Sequence, residues 1–306
     1  MIRKVFFLVD GRKIEAQSIY LATSLARFLP DGWTATAIVR SDYRGQVDPL
    51  TLEILKTCNI SITELACQPD GHLPWSQPYP IGNKILAAAQ MPASGSFLFL
   101  DTDMVALQPL DFSAMVDPKK IYANVSDYVC KIDAPVPEHV EYWRRYYAYL
   151  GAELPEERVR LRAARKRIYV PYYNAGFVLF HNLPAAKGGH FGKAWLEAAT
   201  RFEAGCDTPF PRENIDQITL PITARKCRDG VVNIDDSFNY NIMRRNQALG
   251  GENIVHYHDV GHLYRYSRLE EVIANTVEMV GREMFVKFAR AFPREIRIRK
   301  IKRFIK

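Results

Sequence analysis

The feature that most limits what this chain can fold into is the alternation, over its first hundred residues, of short apolar runs with helix-patterned ones. Val5–Val9 reads as a buried strand, Asp10 and Gly11 follow it, and an amphipathic helix runs from about Ile14 to Phe28 before Pro30, Asp31 and Gly32 close it. Trp33–Val39 reads as a second strand, Pro49–Cys58 as a helix and Ile60–Leu65 as a third strand. This βαβ rhythm implies an α/β protein with a mixed, mostly parallel central sheet flanked by helices.

In such sheets ligands collect beyond the carboxyl ends of the strands, so polar residues there are the first site candidates. Asp10 ends the first strand. The core strand Phe97-Leu98-Phe99-Leu100 ends in Asp101-Thr102-Asp103. Carboxylates two apart on a straight strand point to opposite faces, so both reach one cation only if the chain turns at Thr102. Two acidic oxygens with an open coordination sphere suit a divalent ion that carries a diphosphate.

Further candidates follow along the chain. Lys84 lies near the start of a helix predicted over Pro80–Gln90, and Ile121–Val125 is another strand. A tyrosine-rich helix spans Glu138–Leu150, and the heavily charged Glu153–Arg167 reads as a solvated helix face, with binding of an anionic or sugar acceptor as the alternative. Asn174-Ala175-Gly176 leads a buried strand that runs to Asn182, where glycine permits a bulge or a close backbone approach. A helix covers Phe191–Ala204, Asp216 and Gln217 stand near the start of the next, and Val231–Ile234 returns to strand. Late in the chain, Ile254-Val255-His256-Tyr257-His258-Asp259 again places polar ligand types at the end of an apolar strand. His256 and His258 alternate, so on a strand they share a face. An Asp, Asp, His set favours Mn²⁺ over Mg²⁺, because imidazole is a poorer ligand for magnesium.

Composition excludes other classes. The chain has 306 residues, 48% of them apolar, which places it with ordinary globular proteins. No apolar run approaches the roughly 18–20 residues of a membrane span, and Asp10 arrives too early for a signal peptide, so a cytoplasmic protein is expected. The five cysteines form no CxxC pair, which argues against a disulfide framework or a zinc knuckle. Residues 292–306 hold seven basic side chains against Glu295, a net +6 of the chain's +7, so the body is close to neutral. A neutral body argues against nucleic acid. Isoleucines and Phe304 interleave with the tail's cations, and this pattern suits an anionic membrane surface, which adds peripheral association with the inner face of the membrane to the expectation.

Taken in order, the Asp101-x-Asp103 turn, Asn174-Ala175-Gly176, Asp216-Gln217 and the late Val255-His256-Tyr257 resemble the retaining glycosyltransferases of family 8, the glycogenin and lipopolysaccharide galactosyltransferase type, over about residues 3–265. The resemblance implies a GT-A, Rossmann-like catalytic domain over 1–265, followed by a helical segment over 266–306 that ends in the basic tail. It implies a hexosyltransferase that uses a nucleotide-diphosphate sugar, UDP-glucose or UDP-galactose, a Mn²⁺ or Mg²⁺ ion, and a glycan or glycolipid acceptor such as one in lipopolysaccharide biosynthesis, with retention of configuration. Carried over by position, Asp101, Asp103 and His256 are the metal ligands, with His258 as the substitute. Asp10 falls at the base and ribose, Lys84 near the donor phosphates, and Asn174, Asp216 and Gln217 at the donor sugar, where Asp216 or Gln217 is the catalytic candidate. The family's Gly and Lys-Pro-Trp after the late His are absent here; His262 or Arg265 stands in for that charge. A haloacid-dehalogenase-like phosphohydrolase with Asp101 as nucleophile is the competing reading, since that class also carries Asp-x-Asp after an apolar strand.

Overall fold

A computed structural model describes residues 2–66, 74–129, 136–163, 167–243, 247–296 and 301. The opening rhythm is realised as β1 (Arg3–Val9), α1 (Arg12–Phe28), β2 (Thr34–Arg40), α2 (Pro49–Thr57) and β3 (Ser61–Leu65), and α3 (Asn83–Ala89) then leads into β4 (Gly95–Leu100). The middle of the chain holds β5 (Met104–Ala106), β6 (Ile121–Val125), α4 (Val136–Leu150), β7 (Val159–Arg160), β8 (Ile168–Tyr169) and β9 (Tyr173–Asn182). After these come α5 (Phe191–Gly205), α6 (Ile215–Cys227), β10 (Val231–Asn233), β11 (Tyr240–Asn241) and β12 (Ile254–His256). The chain ends with α7 (Val260–Leu263), α8 (Leu269–Val280), α9 (Arg282–Ala291) and α10 (Pro293–Ile296).

The main sheet has seven strands in the order β10-β6-β9-β4-β1-β2-β3. β1, β2 and β3 run parallel, β10 runs parallel to β6, and β9 runs antiparallel to β6. The central strands are buried on both faces: every residue of β4 and β6 is buried, which is why their sequences are apolar without alternation. A separate three-stranded sheet has the order β11-β12-β5. The chain falls into two compact units, one of residues 1–2, 67–99 and 115–234, the other of residues 3–66, 100–114 and 235–306.

In the second unit α1 departs from the amphipathic helix that the sequence suggests. Its residues Glu15–Leu25 are all buried. Helix α1 can be enclosed because its hydroxyls bond to its own carbonyls: Ser18 to Glu15, Thr23 to Ile19 and Ser24 to Leu21, at 2.7–2.9 Å. The Glu15 carboxylate accepts from the Tyr43 hydroxyl, the Asp48 amide (2.9 Å) and the Thr51 hydroxyl (2.8 Å), so one buried acid ties α1 to the segment before α2. Asp48 in turn caps α2 by accepting from the Leu50 amide at 3.0 Å, with Pro49 at the first helical position.

In the first unit α5 packs on α3, α4 and α6. A Cβ on Gly192 would stand 2.0 Å from the Ala88 carbonyl oxygen, so only glycine permits this approach of α5 to α3. The aromatic residues of α4 form core: Trp143, Tyr146 and Tyr147 are buried, and the Trp143 indole and His139 both bond to the Tyr169 hydroxyl. The charged stretch after α4 is not the helix face read from sequence. Within it Val159–Arg160 form β7, which pairs antiparallel with β8 just beyond the stretch, and the buried Arg162 side chain pairs with Asp127 at 3.6 Å. The pairing of β9 with β6 is irregular between Asn174 and Leu179, which places Gly176 within a bulge.

No helix among the described residues is long and apolar enough to cross a membrane. Within the basic tail, Phe292, Ile296 and Ile301 are buried, so these three side chains are core rather than a membrane-facing stripe; residues 297–300 and 302–306 lie outside the described residues. Cys58 is buried, and burial pushes its thiol up to about 12, while Cys67 and Cys130 lie outside the described residues.

Candidate active site

The turn after β4 forms where the sequence places it. β4 ends at Leu100, Thr102 and Asp103 make the turn, and β5 begins at Met104. β5 then pairs antiparallel with β12 so that Met104 stands opposite His256, and the Tyr257 amide donates to the Asp103 carbonyl at 2.9 Å. This register sets Asp103 and His256 side by side although 153 positions separate them: His256 Nε2 lies 3.2 Å from Asp103 Oδ1. His258 follows beyond the strand with φ +56°, the left-handed region. That turn folds its ring back over His256, with centroids 3.8 Å apart.

One ligand atom each from Asp103, His256 and His258 lies within 4.8 Å of the others. Asp101 stands half-buried at the same turn and is not among the three. His256 Nδ1 donates to the side-chain Oδ1 of Asn239 at 2.9 Å, which directs Nε2 toward Asp103. In a neutral ring that Nε2 is a lone pair facing a carboxylate oxygen, and two electron-rich atoms this close need a proton or a cation between them. Burial raises the Asp103 carboxyl, but the charge and hydrogen bond of His256, followed by the charge of His258, outweigh it and hold Asp103 well below the usual carboxylate range. One carboxylate with two imidazoles is a donor set that fits a borderline divalent ion better than Mg²⁺. Sequence reasoning found all three residues but missed Asn239, since an isolated Asn in a loop carries no signal of the partner it orients.

The same unit holds two further candidates. Asp10, at the end of β1, pairs with Arg40, at the end of β2, at 3.5 Å, as expected for adjacent parallel strands whose last residues stand in register. Gly11 separates Asp10 from α1 with φ +105°, a value that favours glycine. His262 lies in α7, its Nδ1 accepting from the Arg265 guanidinium at 2.9 Å. The N-terminus of α7 is capped by Asp259, which accepts from the Gly261 amide at 2.8 Å.

The remaining candidates belong to the first unit. Lys84 in α3 and Asp216 in α6 form a buried ion pair at 3.2 Å, with side chains 8% and 2% exposed. Lys84 Nζ also donates to the Ala175 carbonyl at 3.4 Å and stands 5.2 Å from the Phe99 ring centroid, so its charge is compensated on three sides. Asp216 Oδ1 accepts from the Gln217 amide at 2.9 Å, and Gln217 is half-buried. Asn174 Oδ1 accepts from the Gly176 amide at 2.8 Å, which fixes the bulge of β9. Lys84, Asp216 and the Asn174–Gly176 backbone thus form one polar group in the unit core.

Comparison with known proteins bears on both groups. A family model described as Rhodobacterales glycosyltransferase domain matches residues 5–228. No curated protein matches the sequence. Among solved structures, the bifunctional glycosyltransferase WbbM is similar with a TM-score of 0.57 at 11% identity, over 93% of this chain and 51% of that one, so the chain spans about half its length. Mouse xyloside xylosyltransferase 1 aligns over 84% of this chain and 98% of its own, with a TM-score of 0.53 and 13% identity. Galactosyltransferase LgtC, solved with donor and acceptor sugar analogues, aligns over 90% of this chain and 96% of its own, with a TM-score of 0.53 and 12% identity. At these identities the likeness is one of fold, and that fold is GT-A.

Proposed function

We propose that this chain, which belongs to the Rhodobacterales glycosyltransferase domain family, moves a hexose from a nucleotide-diphosphate sugar to a glycan or glycolipid acceptor in a metal-dependent reaction with retention of configuration. Family membership makes it a transferase and leaves no support for the phosphohydrolase reading of Asp101. The observation that carries the metal-dependent reading is the convergence of Asp103, His256 and His258, which the geometry of an Asp-x-Asp transferase requires and a phospho-aspartate mechanism does not.

Asp103, His256 and His258 would hold a Mn²⁺-like ion. Asp101, at the same turn, would face the ion's remaining positions directly or through water. Such an ion supplies charge stabilisation to a departing diphosphate. The chain's own groups do the rest in this reading. Asp10 contacts the base and ribose, Lys84 and His262 offset phosphate charge, and Asn174 lines the donor-sugar pocket. Asp216 or Gln217 steadies the oxocarbenium-like anomeric carbon. Lys84 holds Asp216 ionised and oriented, which a carboxylate needs in either a nucleophilic or an electrostatic role. The narrower likeness to glycosyltransferase family 8 suggests UDP-glucose or UDP-galactose as donor and Mn²⁺ as the ion. The basic side chains of residues 292–306 are proposed to meet an anionic leaflet that presents a lipid-linked acceptor, with lipopolysaccharide assembly as the setting.

A thermal-shift screen of nucleotide sugars with and without Mn²⁺ tests this. Stabilisation by one UDP-hexose, only when metal is present, is expected. No stabilisation by any nucleotide sugar with Mn²⁺, Mg²⁺ or Co²⁺ would overturn the reading. Retention is checked separately by the proton coupling of the product anomer, where an inverted product refutes it.

A further inference from the structure

Tyr257 stands in sequence between the two imidazoles of the metal group and is itself completely buried. Its amide, hydroxyl and carbonyl all meet the chain that carries the candidate ligands. The amide donates to the Asp103 carbonyl at 2.9 Å, and the hydroxyl donates to the carbonyl of the preceding residue, Thr102, at 3.4 Å. The Tyr257 carbonyl accepts from the Asp259 amide, which closes a three-residue turn with His258 at its centre. One residue therefore holds the acidic turn and also shapes the path of the second imidazole.

Each contact answers a physical need. Thr102 is buried just past the end of β4, where the ladder of that strand stops, and a buried carbonyl there costs free energy unless a donor reaches it. His258 has φ +56°, a value that a histidine keeps only where its surroundings fix it. An enclosed aromatic ring at the preceding position is such a fixture, because it cannot turn without giving up its packing. The hydroxyl contact is the longest of the three, so its removal should loosen the turn without dissolving it.

From this geometry we infer that Tyr257 is a positioning residue of the metal group: it fixes Asp103 and His258 in the arrangement in which both face His256, and it acts on an ion only through them. The consequence for metal affinity rests on the metal-dependent reading; the hold on the turn does not. Tyr20 supplies the contrast. It too is buried in the second unit, but its hydroxyl bonds to that of Tyr264 at 3.0 Å and not to the acidic turn.

Amide hydrogen exchange on the full chain in EDTA, without nucleotide sugar, reads the turn itself. Tyr257→Phe, which removes only the hydroxyl, should speed exchange at the residue 257 amide about tenfold, while the amides of α1 exchange as in the parent. Tyr20→Phe should leave the residue 257 amide unchanged. Calorimetric titration with Mn²⁺ alone then reads the consequence: affinity should fall about tenfold in Tyr257→Phe and stay within about twofold of the parent in Tyr20→Phe. Unchanged exchange at residue 257 in folded Tyr257→Phe, acceleration spread equally over α1, or parent-like Mn²⁺ affinity in that variant would overturn the inference. A parent that binds no Mn²⁺, with the turn loosened as expected in Tyr257→Phe, would instead refute the metal reading and support the positioning role.

Discussion

The Asp103–His256–His258 group and the Lys84–Asp216 pair are both mostly buried and charged, yet they are built in opposite ways. In the Lys84–Asp216 pair the opposite charges face each other: ammonium meets carboxylate, a backbone carbonyl and an aromatic face, so the pair holds its geometry without a metal ion. The other group gathers one carboxylate and two imidazoles, donors that with neutral rings do not cancel one another's charge. Burial alone therefore does not mark a metal site. The distinction lies in whether the donors neutralise one another or require a cation to do so.

The comparison can be broken experimentally. Asp103→Ala should lower metal-dependent transfer by about three orders of magnitude, which is several kcal/mol of lost charge stabilisation, while the fold persists by circular dichroism. A variant that retains more than a tenth of the activity would remove Asp103 from the metal site. Lys84→Met should act on stability, because it strands a buried carboxylate: a loss of roughly 3–5 kcal/mol in denaturant unfolding is expected. Lys84→Met together with Asp216→Leu should recover much of that loss, and a double variant as unstable as the single would show that the two charges are not coupled.

Asn239→Ala sharpens the same contrast at one remove. It leaves all three donors in place but frees His256 to rotate, so Mn²⁺ affinity by isothermal calorimetry should fall about 10- to 100-fold with little change in melting. The smallest effect concerns two histidines of the first unit, outside the Asp103–His256–His258 group. Burial holds His181 and His190 below the ordinary imidazole value, so the folded chain binds fewer protons than the unfolded one as pH drops below about 6.5. Stability should therefore decline between pH 7 and 5, by at most about 1.4 kcal/mol per pH unit for each group. His181→Asn, which can keep the bond to Ser96, should flatten that decline; an unchanged slope would place the acid sensitivity elsewhere.

Much of the fold was legible, for reasons that the same residues make plain. Phe97–Leu100 could only be a strand enclosed on both faces, and Asp101-Thr102-Asp103 could only be where the chain leaves it. The errors came where burial overrode local pattern. α1 reads as amphipathic, yet its polar Ser18, Thr23 and Ser24 are buried because each satisfies its hydroxyl on the helix itself. Glu153–Arg167 reads as a charged helix because a two-residue strand pair leaves no periodicity to detect. In the tail, Ile296 and Ile301 look like part of a membrane stripe because a segment that packs on its own protein carries the same alternation of apolar and basic residues.

What the sequence by itself determined is the order of elements and the kind of chemistry: an α/β sheet with acids at two strand ends and imidazoles at a third. The meeting of an acid with those imidazoles was decided only in three dimensions. The sequence offers Asp101 and Asp103 together, and the antiparallel register of β5 on β12 brings Asp103 beside His256 by setting Met104 opposite it. A positive φ at His258 then brings the second ring over the first. Register between distant strands and a left-handed turn are properties of packing, and no local stretch of chain encodes them.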